Sequence, residues 1–397
     1  MKKTLLFAGL ALFLSPVAAH ALDFAPTARF NVQGSYSGIA SNLSNTGSLG
    51  ANGDIFILPA LHQGNWTLLP LFAAIGQTAV QALDVDSFFV EQYTFLAKPQ
   101  LRYQHGDDAS YKIWATAKRA INKETSDEAW SEGLYDYEEF GAGIGGTWKN
   151  LLHLPVQESL GVEPLHRTYV NYHELGVATL GGKNYYTHDY DGWKWTAGLE
   201  SLKGAPLAWS VDYTLLFRDY TDAYLYNTDG TFDLNDLRRD QLHIVDLDLA
   251  GPWRQNFTWD VNGNVTANIS NQGNFDLTAA PFQYEADFYG YDSVTLGLGF
   301  TWYPQGPKGP SLTPSYAITN ITYTGRLVRW ADGTYTQSKQ ADLDNRVGLD
   351  GRWPFSSWAA LSGGLTYLSQ QSNQTYIYQV QNAYDLFKVN LGVDLSY

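Results

Sequence analysis

Residues 385–397 read Asp-Leu-Phe-Lys-Val-Asn-Leu-Gly-Val-Asp-Leu-Ser-Tyr. Phe387, Val389, Leu391, Val393, Leu395 and Tyr397 fall on one face of an extended chain. Lys388, Asn390, Gly392, Asp394 and Ser396 fall on the other. Successive strand residues point to opposite sides, so this period of two predicts a strand. A strand apolar on one side and charged on the other separates two solvents. The apolar side meets a protein core or lipid; the polar side meets water.

The same alternation recurs upstream. Phe257, Trp259, Val261, Val265 and Ile269 alternate with Thr258, Asp260, Asn262, Asn264, Thr266 and Asn268. Trp209, Val211, Tyr213, Leu215 and Phe217 alternate with Ser210, Asp212, Thr214, Leu216 and Arg218. Val294, Leu296, Leu298, Phe300 and Trp302 form a third row, and Val347, Leu349 and Trp353 a fourth. One such segment is a weak signal; its repetition is the signature of a membrane barrel.

The first residues carry an export pattern: Lys2 and Lys3, an apolar stretch over 5–17, then Ala19-His20-Ala21. This predicts a signal peptide over 1–21, cleaved after Ala21, and a mature chain over 22–397. No long apolar run follows, so any membrane crossing must use strands. There are 37 Gly, 27 Tyr, 19 Phe and 13 Trp residues, an aromatic density suited to two interfacial girdles. The absence of cysteine excludes disulfides and thiolate metal sites. A net charge of −15 argues against nucleic acid as a partner.

Asn390-x-Gly392-x-x-Leu395-x-Tyr397, with the export pattern and the alternation, resembles the C-terminal signal of bacterial outer-membrane β-barrels. The resemblance covers essentially the whole chain and identifies no subfamily. It implies an all-β transmembrane antiparallel barrel of porin-like size in the cell outer membrane. It also implies partners: membrane lipid and lipopolysaccharide, and the barrel-assembly machinery that reads the terminal strand.

Turn-like connections (63–65, 105–108, 203–205, 251–254, 305–310 and 354–357) alternate with long polar ones (41–49, 122–133, 181–191, 222–239, 270–287, 328–341 and 371–384). That is the asymmetry of periplasmic turns against extracellular loops. The strands between them number about sixteen; fourteen or eighteen also fit. Expected spans are 27–41, 50–60, 65–78, 88–104, 109–121, 133–148, 165–180, 191–202, 206–220, 238–251, 255–270, 287–304, 311–327, 341–353, 357–371 and 384–397. Residues 79–90 and 149–165 lack clean alternation; 151–155 reads as a longer turn or a short helix. Pro59, Pro70, Pro99 and Pro314 should mark strand ends or bulges.

A sixteen-strand barrel leaves an aqueous lumen. The expected pore-lining charges are Lys98, Arg102, Lys112 and Lys118 on one arc and Asp212, Asp246, Asp248 and Asp260 on another. Arg218, Arg346, Asp350 and Arg352 join them, with Arg29, Lys194, Glu200, Lys388 and Asp394 on the same register. Opposed arcs would orient polar solutes and discriminate by charge; alternatively the charges merely pair. Trp114 shares this register and could stack a sugar, or belong to the lipid girdle if the register slips by one. Asn227, Asp229, Asp233, Asn235 and Asp236, with Asp229 and Asp233 foremost, form a weak calcium candidate that lacks a full loop pattern. Asp189 and Asp191 form a shorter version. Asp222, Asp240 and His243 could form a hydrolase set at one rim, against the plainer reading of solvated loop acids. His166 and His173 make no metal pair, no catalytic motif appears, and no cofactor is expected.

The expectation is therefore a non-enzymatic, porin-like channel for small polar solutes. The alternative is an export or surface-assembly pore for polysaccharide or lipoprotein. Residues 344–397 also look like the barrel ends of such proteins, whose periplasmic helical-repeat domain would have to come from a separate partner.

Overall fold

The computed structural model describes residues 23–25, 27–41, 45–81, 89–123, 129–152, 154–172, 188–276, 279, 281–376 and 383–396. The signal segment, His173 and Tyr397 lie outside these residues. The strands are β1 (Asp23–Ala25), β2 (Ala28–Ser41), β3 (Asn45–Ile57), β4 (Ala60–Gln63), β5 (Trp66–Gln81), β6 (Phe89–His105) and β7 (Ala109–Lys123). There follow β8 (Tyr137–Lys149), β9 (Val156–Tyr169), β10 (Tyr190–Ser201), β11 (Ala208–Tyr226), β12 (Phe232–Arg254) and β13 (Phe257–Ser270). The last are β14 (Asn274–Asp276), β15 (Gln283–Glu285), β16 (Tyr291–Trp302), β17 (Ser311–Arg329), β18 (Tyr335–Pro354), β19 (Ala359–Ser372) and β20 (Tyr384–Ser396).

Sixteen of these strands form one closed antiparallel ring, each paired with its sequence neighbours and β20 closing on β2. Closure satisfies every edge, which hydrocarbon demands because it offers no hydrogen-bond partner. Small β1 pairs with β4 at the short-turn end, and β14 pairs only with β15. The core is not a packed interior. Large apolar side chains face outward: Leu391 is 69 % exposed and Ile144 60 %. At the short-turn end the outer face carries aromatic pairs, Trp66–Tyr103 at 4.8 Å, Tyr111–Trp148 at 6.0 Å and Phe257–Trp302 at 6.3 Å between ring centroids. This is the girdle that the composition implied.

The terminal strand takes the predicted register. Val393 lies opposite Val32 and Leu395 opposite Phe30 on the outside. Inside, Asn31 donates to Asp394, Asn390 donates to Gln33 at 3.3 Å, and Arg29 stands 4.0 Å from Asp394.

One strand is misplaced by the sequence reading. The expected strand over 165–180 is β9 over 156–169, and residues 150–152 and 154–155 belong to the turn before it. Glu158, Pro164 and His166 occupy its outer face while Leu165 points in, so the polar–apolar rule breaks there. The long polar segments 222–239 and 328–341 are also mostly strand. β11 and β12, and likewise β17 and β18, run on as hairpin extensions, leaving tight turns at 227–231 and 330–334. Prolines behave as their missing donor requires. Pro59 sits between strands. Pro70 lies where β5 changes partner from β3 to β4. The β6–β7 ladder skips Pro99, and the β16–β17 ladder skips Pro314.

Candidate functional site

Side-chain parity places the site on the inner wall. Cross-strand pairing puts Arg102 opposite Lys112 and Gln100 opposite Trp114 on β6–β7, with Lys98 and Lys118 on the same side. On β11–β13, Asp212 lies opposite Asp246, Ser210 opposite Asp248, and Ala250 opposite Asp260. On β18, Arg346, Asp350 and Arg352 share the inward register. The structure thus brings both predicted arcs onto one face. It adds inward charges not counted beforehand: Asp54, Glu139, Glu163, Arg167, Asp342 and Asp344. Those on β9 were hidden by its misplacement; Asp54 and Asp344 could have been found by extending the parity of their strands.

The wall has two levels with different electrostatics. Near the long-loop end the charges are neutralised in pairs. Arg167 donates through Nε to Glu139 at 2.9 Å and lies 4.3 Å over the Tyr137 ring. Arg238 donates to both Asp240 oxygens at 3.0 and 2.7 Å, and the Tyr220 hydroxyl donates to Asp240 at 3.0 Å. Arg218 stands 3.7 Å from Asp240 and donates to Asn268 at 2.9 Å. Asp240 is 1 % exposed and needs these partners, since an unpaired buried carboxylate costs several kcal/mol.

In the halves of the strands nearer the short turns, Arg29 with Asp394 at 4.0 Å is the salt bridge that remains on the inner wall among the described residues. Among the described residues, Lys98, Arg102, Lys112 and Lys118 form no salt bridge, nor do Asp212, Asp246, Asp248 and Asp260. Asp246 accepts from Asn264 at 2.6 Å. Lys98 and Lys112 lie 5.6 and 5.4 Å over the Trp114 ring, and Lys118 lies 5.2 Å over Tyr137. Of the expected inward register, Arg29 and Arg218 thus stand beside acids, whereas these eight charges form no salt bridge among the described residues.

Glycines flatten this wall. A Cβ on Gly198 would stand 2.5 Å from the Asp212 carboxylate, and one on Gly299 2.6 Å from that of Asp260. A Cβ on Gly143 would overlap the Trp114 ring, which also borders Gly145 and Gly161. Long side chains lie sideways over glycines of the next strand instead of crossing the lumen. Trp114 is inward, as its parity required.

Residues 271–276 and 281–290 fold against the inner wall at the mouth. Arg329 donates to Asp276 at 2.9 Å, and the Tyr335 hydroxyl donates to Asp276 at 2.7 Å. The Leu327 amide, freed where the β17–β18 register shifts, donates to Glu285 at 2.6 Å. Asn268 donates to the Tyr289 carbonyl at 2.7 Å. Burial of Glu285 pushes its carboxyl above the ordinary range despite the Leu327 bond. His188, packed among Tyr135, Tyr169 and Tyr172, falls to about 4 because burial, then Arg238, disfavours its cation.

The residues of the two weaker alternatives lie as follows. His243 faces outward, 2.8 Å from the Tyr213 hydroxyl, while Asp240 faces inward, so no rim triad with Asp222 forms. The carboxylates of Asp229 and Asp233 cap their own turns: Asp229 accepts from the Thr231 amide at 3.0 Å, Asp233 from the Asn235 amide at 3.0 Å. Asp191 faces outward to His166 at 2.8 Å, whereas Asp189 accepts from the Tyr169 amide at 2.6 Å. Among the described residues no group of three or more His, Asp or Glu side chains is placed to hold a metal.

A closed ring with an apolar, aromatic-girdled exterior and a polar interior defines an outer-membrane β-barrel of porin-like size. No family model matches the chain, and comparison with curated proteins finds no match. Solved structures of similar form include Pseudomonas aeruginosa OccK2 (OpdF) in complex with glucuronate: 8 % identity over 94 % of this chain and 98 % of that one, TM-score 0.48. Others are Pseudomonas aeruginosa OpdQ, with 10 % identity, 94 % and 98 % coverage and TM-score 0.46, and a bacterial polysaccharide outer membrane secretin, with 11 %, 93 %, 98 % and 0.44. Likeness at this distance assigns no function.

Proposed function

We propose that the barrel is a channel through which small polar solutes diffuse across the outer membrane. One observation carries this reading: the waist of a sixteen-strand ring is lined by charges of both signs that form no salt bridge, and its aspartates Asp212 and Asp260 lie over glycines. Eight strands would be filled by their own side chains, whereas sixteen leave an aqueous bore. Charges facing that bore stay hydrated and need no partner, unlike those packed at the mouth. Arg346, Asp350 and Arg352 extend the charged lining around the ring, and Arg218 joins it at the paired mouth. The hairpin at the mouth narrows the entrance and sets an upper limit on solute size. Purified protein in a planar bilayer should give discrete single-channel steps. A folded barrel that gives none would overturn the channel reading.

A further inference from the structure

Resting on that reading, we infer that the inner face of β6–β9 around Trp114 is a binding subsite for small organic carboxylates. Trp114 is laid flat by the glycine bed formed by Gly143, Gly145 and Gly161. One ring face is thereby covered, and the other is left to the two ammonium groups of Lys98 and Lys112. Attraction to the ring quadrupole holds both cations against one platform. Arg102 is the cross-strand neighbour of Lys112 and adds a planar donor fork next to it. Among the described residues it donates to Gln104, at 3.3 Å. Three like charges on two adjacent strands repel one another, and a carboxylate between them relieves that repulsion.

The neighbouring acids do not fill this role. Glu163 reaches over Gly141 and accepts from Thr116 at 2.5 Å, and it forms no salt bridge with either lysine. Glu139 is taken by Arg167. The acidic arc begins on β11, four strands round from β7, which is about 20 Å along the wall at about 4.8 Å per strand. That exceeds twice the ~8 Å screening length at physiological salt, so the aspartates neither neutralise the lysines nor repel a bound anion strongly. The aromatic platform favours acids that carry an apolar or ring face beside the carboxylate.

The test uses detergent-purified full-length barrel and equilibrium dialysis, which needs no conduction. Benzoate, benzyl alcohol and inorganic phosphate are the probes. Benzoate should bind measurably, and benzyl alcohol and phosphate should each bind at least about tenfold more weakly, since each lacks one half of the recognition. Lys98→Gln/Lys112→Gln should abolish benzoate binding while Lys203→Gln, in a short turn, leaves it intact. Heat-modifiable migration on gels shows that each variant is folded. Trp114→Phe, which keeps a platform, should retain more binding than Trp114→Ala. Equal binding of benzoate and benzyl alcohol, phosphate binding as tightly as benzoate, or benzoate binding unchanged in the double variant would overturn the subsite. Benzoate binding to a barrel that conducts nothing would keep the subsite and sink the channel.

Discussion

At the scale of single residues, the paired mouth and the unpaired waist behave differently toward pH. His188 takes its proton near pH 4 in the folded rim, against about 6.5 in an unfolded chain. Between those values the unfolded state binds more protons, so its contribution is complete above about 6.5 and is lost as pH falls toward 4. The loss is at most about 3 kcal/mol. Burial raises the Asp189 carboxyl, which works in the opposite sense. The protection of the Tyr169 and Asp189 amides, their exchange relative to the intrinsic rate at each pH, should therefore fall between pH 7 and pH 4.5. In His188→Phe the dependence should vanish or invert; a variant that keeps it would refute the assignment. Parity was the residue-scale rule the sequence already held. Asp240 and His243 are three apart, an odd spacing, so a strand must send them to opposite faces, and that arithmetic alone breaks the rim triad.

Elements add what parity lacks. The hairpin β14–β15 is tied to the wall through a buried ion pair, Arg329 with Asp276, and removing one partner of such a pair costs about 3–5 kcal/mol. Asp276→Ala should free the hairpin from the mouth. Single-channel conductance should rise, and added protease should cut within 271–290. Unchanged conductance with an unchanged digest would show that the tether does not hold the loop. The terminal strand yields a second expectation. Val393→Arg puts a cation on the lipid face, at about 2–4 kcal/mol near the midplane, and should impair heat-modifiable folding. Asp394→Asn, on the wet face, should be mild; the opposite ranking would mean that inside and outside are reversed. Most elements were legible because lipid on one side and water on the other impose a strict code of two. The code lapses where one solvent touches both sides. The extensions of β11, β12, β17 and β18 stand past the lipid belt, carry polar residues on both faces, and so read as loops. The lapse in β9, through Glu158, Pro164, Leu165 and His166, moved a whole strand. The hairpin's docking had no local signal, because Asp276 meets Arg329 only through the tertiary fold.

The whole molecule sets sidedness. Short turns, the start of β2 and the end of β20 share one rim, and hairpin extensions share the other, the arrangement in which turns are periplasmic and loops extracellular. Protease added to intact cells should cut the tip 227–231 within the 222–239 segment and spare 251–254; the reverse digest would turn the barrel over. The seam between β2 and β20 has a kinetic consequence. The Asn31–Asp394 contact joins residues 363 apart in sequence, whereas nearly every other ladder joins chain neighbours. Hairpins can zip early, but the seam's loop-closure entropy is recovered only when the whole ring is in place. Until then β2 and β20 are two bare edges, prone to pair with another copy of the chain. The rate of assembly is therefore set at the seam, and a nascent barrel spends its most vulnerable interval fully zipped yet still open.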